Sequence, residues 1–344
     1  MTLNSNLFKA IGIVFGCLVL AIVTNGLFPT VQTHGRFIIP HLSRPGSASG
    51  PSKSAIATFL GKDTAEHEGT EDDDNLDNYF VATRILAYQL RHVPETRSDP
   101  SIPFVVIVTA AVSQRKCDRL ARDGATIVAV DKIFSSNEVD NPQWQGVWTK
   151  LRLFDPRIMP YEKVMYLDSD TILSRPIDGA FNDSATERSQ TGHHVLEVKA
   201  DEAPPPASYV FAGKPDAGTF AHDWPPDQSS NYLNAGFFIF SPNTKLYTHY
   251  MSIINSTGKF NPEMPEQNLL NYVHRQEGNM PWRKLSPEWN INFATMKDKE
   301  GGVASMHVKY WAKDSSQDTL NYALHWRWEM EGFWKGKEKF GGVS

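Results

Sequence analysis

The sequence is short of the features that would tie it to nucleic acid, to a disulfide scaffold or to a repeat array. Its formal net charge is -5, whereas a nucleic-acid partner calls for a basic face. Only two cysteines are present, Cys17 in an apolar run and Cys117 in a polar helical segment. No disulfide framework follows, and the redox compartment is left open. No internal repeat is visible, which excludes a solenoid or propeller. What is there suits an ordinary core. Of 344 residues, 40% are hydrophobic, enough for one large α/β domain or two small ones and too many for wholesale disorder.

The N-terminus reads as separate from the fold. Ala10 to Val23 contains no polar residue, and the run continues weakly to Leu27 and Phe28. Residues 1–28 are expected to be an uncleaved signal anchor crossing the membrane, with a cleaved signal peptide as the alternative. Lys9 on one side and Arg36 and Arg44 on the other leave its orientation open. Residues 29–53, rich in Pro, Ser, Gly and His, read as a stem. Two sequons, at Asn182 and Asn255, suit a lumenal domain. The expectation is a single-pass type II protein of the Golgi or another secretory-pathway membrane, secreted if the leader is cleaved.

The folded part, 54–344, alternates element types. Ala55–Leu60 is a first strand, followed by an acidic loop with Glu71–Asp74 as a solvated run. Asp77–His92 carries a helical stripe of Phe80, Val81, Ile85, Leu86 and Leu90. Phe104–Thr109 is a buried strand. Ser113 caps a short helix that Gly124 closes. Thr126–Val130 is a strand, Trp148–Phe154 is helical, and Val164–Leu167 is a fourth strand. This order predicts a mostly parallel sheet with helices on both faces, whose ligands bind beyond the carboxyl ends of the strands. Residues 202–230 read as loops, Asn234–Phe240 as a strand and Pro265–His274 as a helix.

The fourth strand stops at D-S-D, Asp168, Ser169 and Asp170. Carboxylates near a core are costly unless a cation meets them. A hard divalent metal is one such cation; helix capping and ordinary ion pairing are the structural alternatives.

The stretch Tyr161–Phe181, Y-E-K-V-M-Y-L-D-S-D-T-I-L-S-R-P-I-D-G-A-F, resembles the metal-site segment of the glycogenin-like retaining glycosyltransferases, glycosyltransferase family eight. Four further segments match in order. Trp148-Thr149-Lys150-Leu151 resembles the family's T-K-L element, and Asn234-Ala235-Gly236-Phe237-Phe238 its N-S-G strand, with Ala235 where Ser is more usual. Glu266-Gln267-Asn268-Leu269-Leu270-Asn271 resembles its D-Q-x-x-L-N helix, with Glu266 in the Asp place. His307-Val308-Lys309-Tyr310-Trp311 resembles its late His, Lys and Trp cluster, compressed.

The resemblance implies a GT-A fold, a Rossmann-like nucleotide-diphospho-sugar transferase architecture. It also implies a UDP-sugar donor, a glycan, glycoprotein or other hydroxyl acceptor, and a divalent metal, usually Mn²⁺. Asp170 would ligate the metal, Asp168 the metal or the ribose, and His307, ahead of Lys309 and Trp311, would be the preferred third ligand with His325 as the alternative, an imidazole suiting Mn²⁺ better than Mg²⁺. Thr58, Phe59 and Leu60 would lie along the uracil. Lys150, Ser169, Ala235, Gly236 and Lys309 would serve the donor. The resemblance implies retention at the anomeric carbon, for which Glu266 and Gln267 are the candidate nucleophile or ion-pair stabiliser, with Asn234 bonding sugar hydroxyls. Glu266, just after Pro265, also fits a plain helix start. Two rivals stand beside this reading. One is a relative that binds sugar nucleotide or glycan without turnover. The other is a D-x-D-x-T phosphatase, which the late position of the motif disfavours.

Overall fold

The computed structural model describes residues 52–61, 77–137, 142–194 and 199–340. The proposed anchor, the stem up to residue 51 and the acidic run Glu71–Asp74 lie outside the described residues. All described residues belong to one compact unit, Ser49–Ser344. Among them, no helix is long and apolar enough to cross a membrane.

Strands β1 (Ser54–Leu60), β2 (Phe104–Val108), β3 (Thr126–Ala129) and β4 (Lys163–Leu167) run parallel, as their apolar runs predict. Chain order and sheet order differ at one place. From β1 the chain steps outward to β2 and β3, then returns to lay β4 on the other side of β1. That reversal opens a crevice beyond the carboxyl ends of β1 and β4, where open α/β sheets bind ligands. Beyond β4 the sheet continues with β9 (Leu233–Phe240), β8 (Phe211–Pro215) and β10 (Arg283–Lys284). β9 runs antiparallel to both neighbours, so its N-terminal residues lie beside the carboxyl end of β4.

Each face of the sheet buries one side of every strand. Ala55, Ala57, Phe59, Val105, Ile107, Val164, Tyr166, Phe238 and Phe240 share one cluster, and Ile56, Leu60, Val106, Met165, Leu167, Phe237 and Ile239 the other. Helix α1 (Asn78–Arg91), capped by Asp77, covers the second face together with α2 (Gln114–Arg122). It is buried on nearly all sides. Its outer residues Val81, Ile85 and Tyr88 pack in a third cluster with residues of α6 (Gln317–Phe340), the long helix that ends the described chain. The first face carries α3 (Thr244–Ile253) and α4 (Pro265–Val273). It also carries a 3-10 helix, Pro142–Phe154.

The helix expected at Trp148–Phe154 forms, as a 3-10 helix; Trp148, Leu151 and Phe154, buried at a spacing of three, match three residues per turn. Two features depart from the sequence reading. The region 202–230 is not all loop. Ser208–Tyr209 (β7) pairs with Ser189–Gln190 (β6), and β8 is a fully buried sheet strand despite its F-A-G-K-P sequence. A second small ladder joins β5 (Thr171–Leu173), just after D-S-D, to β11 (Ser305–His307) in antiparallel register, with His307 opposite Thr171. α5 (Met296–Glu300) completes the set.

Candidate active site

The D-S-D segment leaves β4 where the sheet hands over to two stabilising ladders. On one side the Asp168 N–H donates to the Gly236 carbonyl of β9 (2.9 Å). On the other, the β5–β11 ladder delivers His307, and the Val308 N–H donates to the Asp170 carbonyl (2.8 Å). Asp168, Asp170 and His307 thereby offer ligand atoms that all lie within 4.8 Å of one another. Val164, Met165, Tyr166 and Leu167 are fully buried. Burying such side chains stabilises by roughly 1.5–3 kcal/mol each, whereas a buried unpaired charge costs several kcal/mol. The strand's burial therefore depends on the two carboxylates finding cations.

Both find them. His307 Nε2 lies 2.8 Å from Asp170 Oδ1. Burial works against ionising Asp170, but the charges of His307 and Lys309 overcome it and hold its pKa well below the usual carboxylate range. Burial likewise opposes protonation of His307, and the Asp170 carboxylate raises its pKa nonetheless. Lys150 Nζ, on the side of the 3-10 helix turned away from Trp148 and Leu151, lies 2.9 Å from both Asp168 Oδ1 and Glu266 Oε1. Desolvation of this ammonium is outweighed by Asp168 and Glu266, so its pKa stands well above the ordinary value. Glu266, in the first turn of α4 behind Pro265, is pushed up by burial against the pull of Lys150.

A frame of neutral groups fixes these charges. The Tyr166 hydroxyl donates to Asp168 Oδ1 (2.6 Å), and the Lys150 ammonium sits 5.3 Å from the Tyr166 ring centroid. With Oδ1 taken by Tyr166 and Lys150, Asp168 Oδ2 is the oxygen turned toward Gly236. A Cβ on Gly236 would lie 2.8 Å from Asn234 Oδ1, 2.9 Å from His307 Nδ1 and 3.1 Å from Asp168 Oδ2. The missing side chain is what lets the three groups converge. Gln267 Oε1 accepts from the Ala235 N–H (2.8 Å), and its amide donates to the Tyr232 hydroxyl (3.0 Å), fixing the start of β9. Asn234 Oδ1 accepts from the Gly236 N–H (2.9 Å), and its Nδ2 donates to Asp216 Oδ2 (3.0 Å).

The structure thus gathers Lys150, Asp168, Asp170, Asn234, Gly236, Glu266, Gln267, His307 and Lys309. Ser169 is buried between the two aspartates, and Ala235 is buried in β9. Thr58, Phe59 and Leu60 end β1 as core residues, Phe59 and Leu60 in opposite clusters and Thr58 with a buried, unpartnered hydroxyl. His325 is elsewhere: it is exposed on α6, 3.2 Å from Glu329, and does not join the Asp168–Asp170–His307 group. Sequence reading missed Tyr166, although it precedes Asp168 and Asp170 in the two-residue alternation of a strand. It also missed Asp216, which carries no motif, and Tyr79 at the start of α1. Tyr79 packs edge-on against Trp311 (4.9 Å between centroids) and joins Asp170 in raising the pKa of Lys309 against its burial.

No protein-family profile matches the chain. It is 29% identical over 301 residues to an uncharacterized protein of Schizosaccharomyces pombe, spanning 78% of this chain and 76% of that one. It is 29% identical over 128 residues to inositol phosphorylceramide glucuronosyltransferase 1 of Arabidopsis thaliana, spanning 35% of this chain and 22% of the other. With the glycogenin of Komagataella phaffii it shares 21% identity over 63% of this chain and 47% of that protein. Among solved structures, the glycosyltransferase GlyE of Streptococcus pneumoniae is 14% identical, with a TM-score of 0.48, over 83% of this chain and 64% of GlyE. The relatives it resembles thus include a glycogenin and a glucuronosyltransferase, and the architecture is an open, mostly parallel α/β sheet flanked by helices.

Proposed function

We propose that the chain is a metal-dependent retaining glycosyltransferase. It moves a hexosyl or N-acetylhexosaminyl group from a UDP-sugar to a hydroxyl of a glycan, glycoprotein or other acceptor. The observation that carries this reading is the convergence of Asp168, Asp170 and His307 over Gly236, beside Lys150 and Glu266. Two carboxylates and an imidazole form a donor set suited to Mn²⁺, and the absent Cβ at Gly236 keeps their approach open. Asp170 and His307, with Asp168, would hold the ion. Bound there, it would neutralise the charge that develops on a departing diphosphate.

The remaining roles belong to the chain's own groups. Lys309, held cationic by Asp170, Tyr79 and Asp168, supplies a second positive charge for phosphate oxygens. Lys150 bridges Asp168 and Glu266 and so holds the buried Glu266 carboxylate beside the D-S-D segment. From there Glu266 can stabilise positive charge at an anomeric carbon or attack it on the face opposite the leaving group. Gln267 acts as a positioning residue through Ala235, and Asn234 through Gly236 and Asp216. Residues 1–28 act as the membrane anchor and 29–53 as the stem of a lumenal domain 54–344. Asn182 and Asn255 of the two sequons are both exposed on that domain.

The test is UDP release by the fragment from Ser54 onward, across a panel of UDP-sugars with and without Mn²⁺. UDP-glucuronate belongs in the panel because one relative is named a glucuronosyltransferase. Mn²⁺-dependent release from one donor, lost in Asp170→Ala with the fold intact, is expected. Full activity in Asp170→Ala would refute the site, and a folded protein that binds UDP but releases none from any donor would favour the non-catalytic relative.

A further inference from the structure

A cleft of about 460 Å³ is lined by Phe220, Asp223, Thr295, Met296, Lys297 and Ser316 among others. That volume falls in the range of small-molecule sites. Its two main walls start from the site. Asp216 accepts from Asn234 Nδ2 through Oδ2 (3.0 Å) and from Asn292 Nδ2 through Oδ1 (2.8 Å), and the Ala217 N–H donates to Asn292 Oδ1 (3.0 Å). From this clamp one segment runs four residues to Phe220 and the other three residues to Thr295. At about 3.3–3.6 Å per residue, the cleft begins no more than about 14 Å of chain from the partner of Asn234. The third wall, Ser316, lies on the segment that follows His307 and Lys309.

The cleft is built in advance. Asp298, fully buried, accepts from the Thr295 N–H (2.7 Å) and hydroxyl (2.8 Å) on one wall and lies 3.1 Å from His222 Nε2 on the other. His222 Nδ1 donates to the Thr219 carbonyl (2.9 Å), so both ring nitrogens are committed to holding the walls together. By contrast, among the described residues neither the Lys297 ammonium nor the Asp223 carboxylate has a side-chain partner, although both line the cleft. An ammonium only donates and a carboxylate only accepts. A neutral polyol, whose hydroxyls donate and accept, satisfies both without meeting a like charge. Phe220 and Met296 add the apolar surface against which C–H faces of a sugar ring pack.

We propose that this cleft is the acceptor subsite, and that the acceptor is a neutral oligosaccharide whose inner rings lie between Phe220 and Lys297 while its outer hydroxyl reaches the crevice at Asn234. The inference rests on the transferase reading and deepens it. The experiment is binding of the fragment from Ser54 onward, with UDP and Mn²⁺, to an array of neutral and anionic oligosaccharides, alongside calorimetry with UDP and Mn²⁺. The expected result is capture of a subset of neutral glycans, reduced at least tenfold in Lys297→Met and in Asp223→Ala, with UDP affinity unchanged in both. These two exposed positions are chosen because Phe220, packed on Phe293, is part of the wall itself. Glycan capture that ignores both substitutions, capture of anionic glycans alone, or no capture by a protein that binds UDP would overturn the subsite. Failure of the unsubstituted protein to bind UDP would instead strike the transferase reading, and the subsite with it.

Discussion

Replacing Gly236 by alanine adds one methyl group at the point where three polar groups of the site converge. Gly236 does not occupy the left-handed region, so alanine can take up its backbone and the whole effect is steric. The new Cβ would meet Asn234 Oδ1 at 2.8 Å, His307 Nδ1 at 2.9 Å and Asp168 Oδ2 at 3.1 Å. Each escape route breaks something. Asn234 can move only by releasing the Gly236 N–H or Asp216, His307 by tilting off Asp170, and Asp168 by leaving Lys150 and Tyr166. A neutral hydrogen bond contributes about 0.5–1.5 kcal/mol and one to a charged group about 1.5–3 kcal/mol. Crowding in a packed interior costs about 1–3 kcal/mol. Gly236→Ala should therefore lose about 1–3 kcal/mol in denaturant unfolding followed by circular dichroism. Its Mn²⁺ affinity, read from the free-ion electron paramagnetic resonance signal, should fall about 10–100-fold, as for displaced groups around a metal. Gly332→Ala, where a Cβ on α6 meets nothing, should keep the affinity and gain a few tenths of a kcal/mol or more. A folded Gly236→Ala protein whose Mn²⁺ titration overlays the wild type would refute the geometry assigned to the site.

Lys150→Met leaves Asp168 and Glu266 without their shared cation, and removing one partner of a buried pair costs about 3–5 kcal/mol; a fall in melting temperature of only a degree or two would show that the bridge does not hold these elements. Tyr166→Phe keeps the ring but leaves Asp168 Oδ1 to Lys150 alone, and should weaken Mn²⁺ binding about tenfold, while Tyr250→Phe, remote from the site, should leave binding unchanged. His307→Ala should abolish the Mn²⁺ titration and His325→Ala should not; the reverse order would reassign the ligand. His274 is buried and neutral, donating through Nδ1 to the Met280 carbonyl and accepting from the Tyr250 hydroxyl, and burial drives its pKa from 6.5 to about 3. Its contribution to stability is complete above pH 6.5 and is lost as pH falls from there toward about 3, at about 1.4 kcal/mol per pKa unit; His274→Gln should flatten that acid limb in unfolding titrations, and an unchanged limb would count against it.

What was legible in the sequence is what local patterning determines. The continuous apolar runs of β1, β2 and β4, the stripe of α1 with its Asp77 cap, and Ser113 before α2 specify their elements with little help from distant residues. β8 was not legible, because glycine, lysine and proline in a five-residue stretch argue against a strand; here tertiary pairing with β9 and β10 overrides that preference. β5 and β11 are three residues each and form through distant partners, each other and, for β11, Ile291, so no window of sequence contains their signal. Lys150 was recognisable by motif, but its bridge to Glu266 depends on how a 3-10 helix packs near α4. Asp216 and the cleft beyond it had no sequence sign, since they arise where two irregular segments meet.

The β5–β11 ladder has a consequence for the order in which the protein matures. Asp170 emerges from synthesis long before His307, and the two become neighbours only when the late strand zips onto the early one. A growing chain therefore carries a half-site until most of the domain has been made. Any divalent ion retained by the completed set then acts as a clasp between distant parts of the chain, adding about 2.7 kcal/mol when present at a hundredfold excess over its dissociation constant. Catalytic competence and completion of the fold would be certified by the same event.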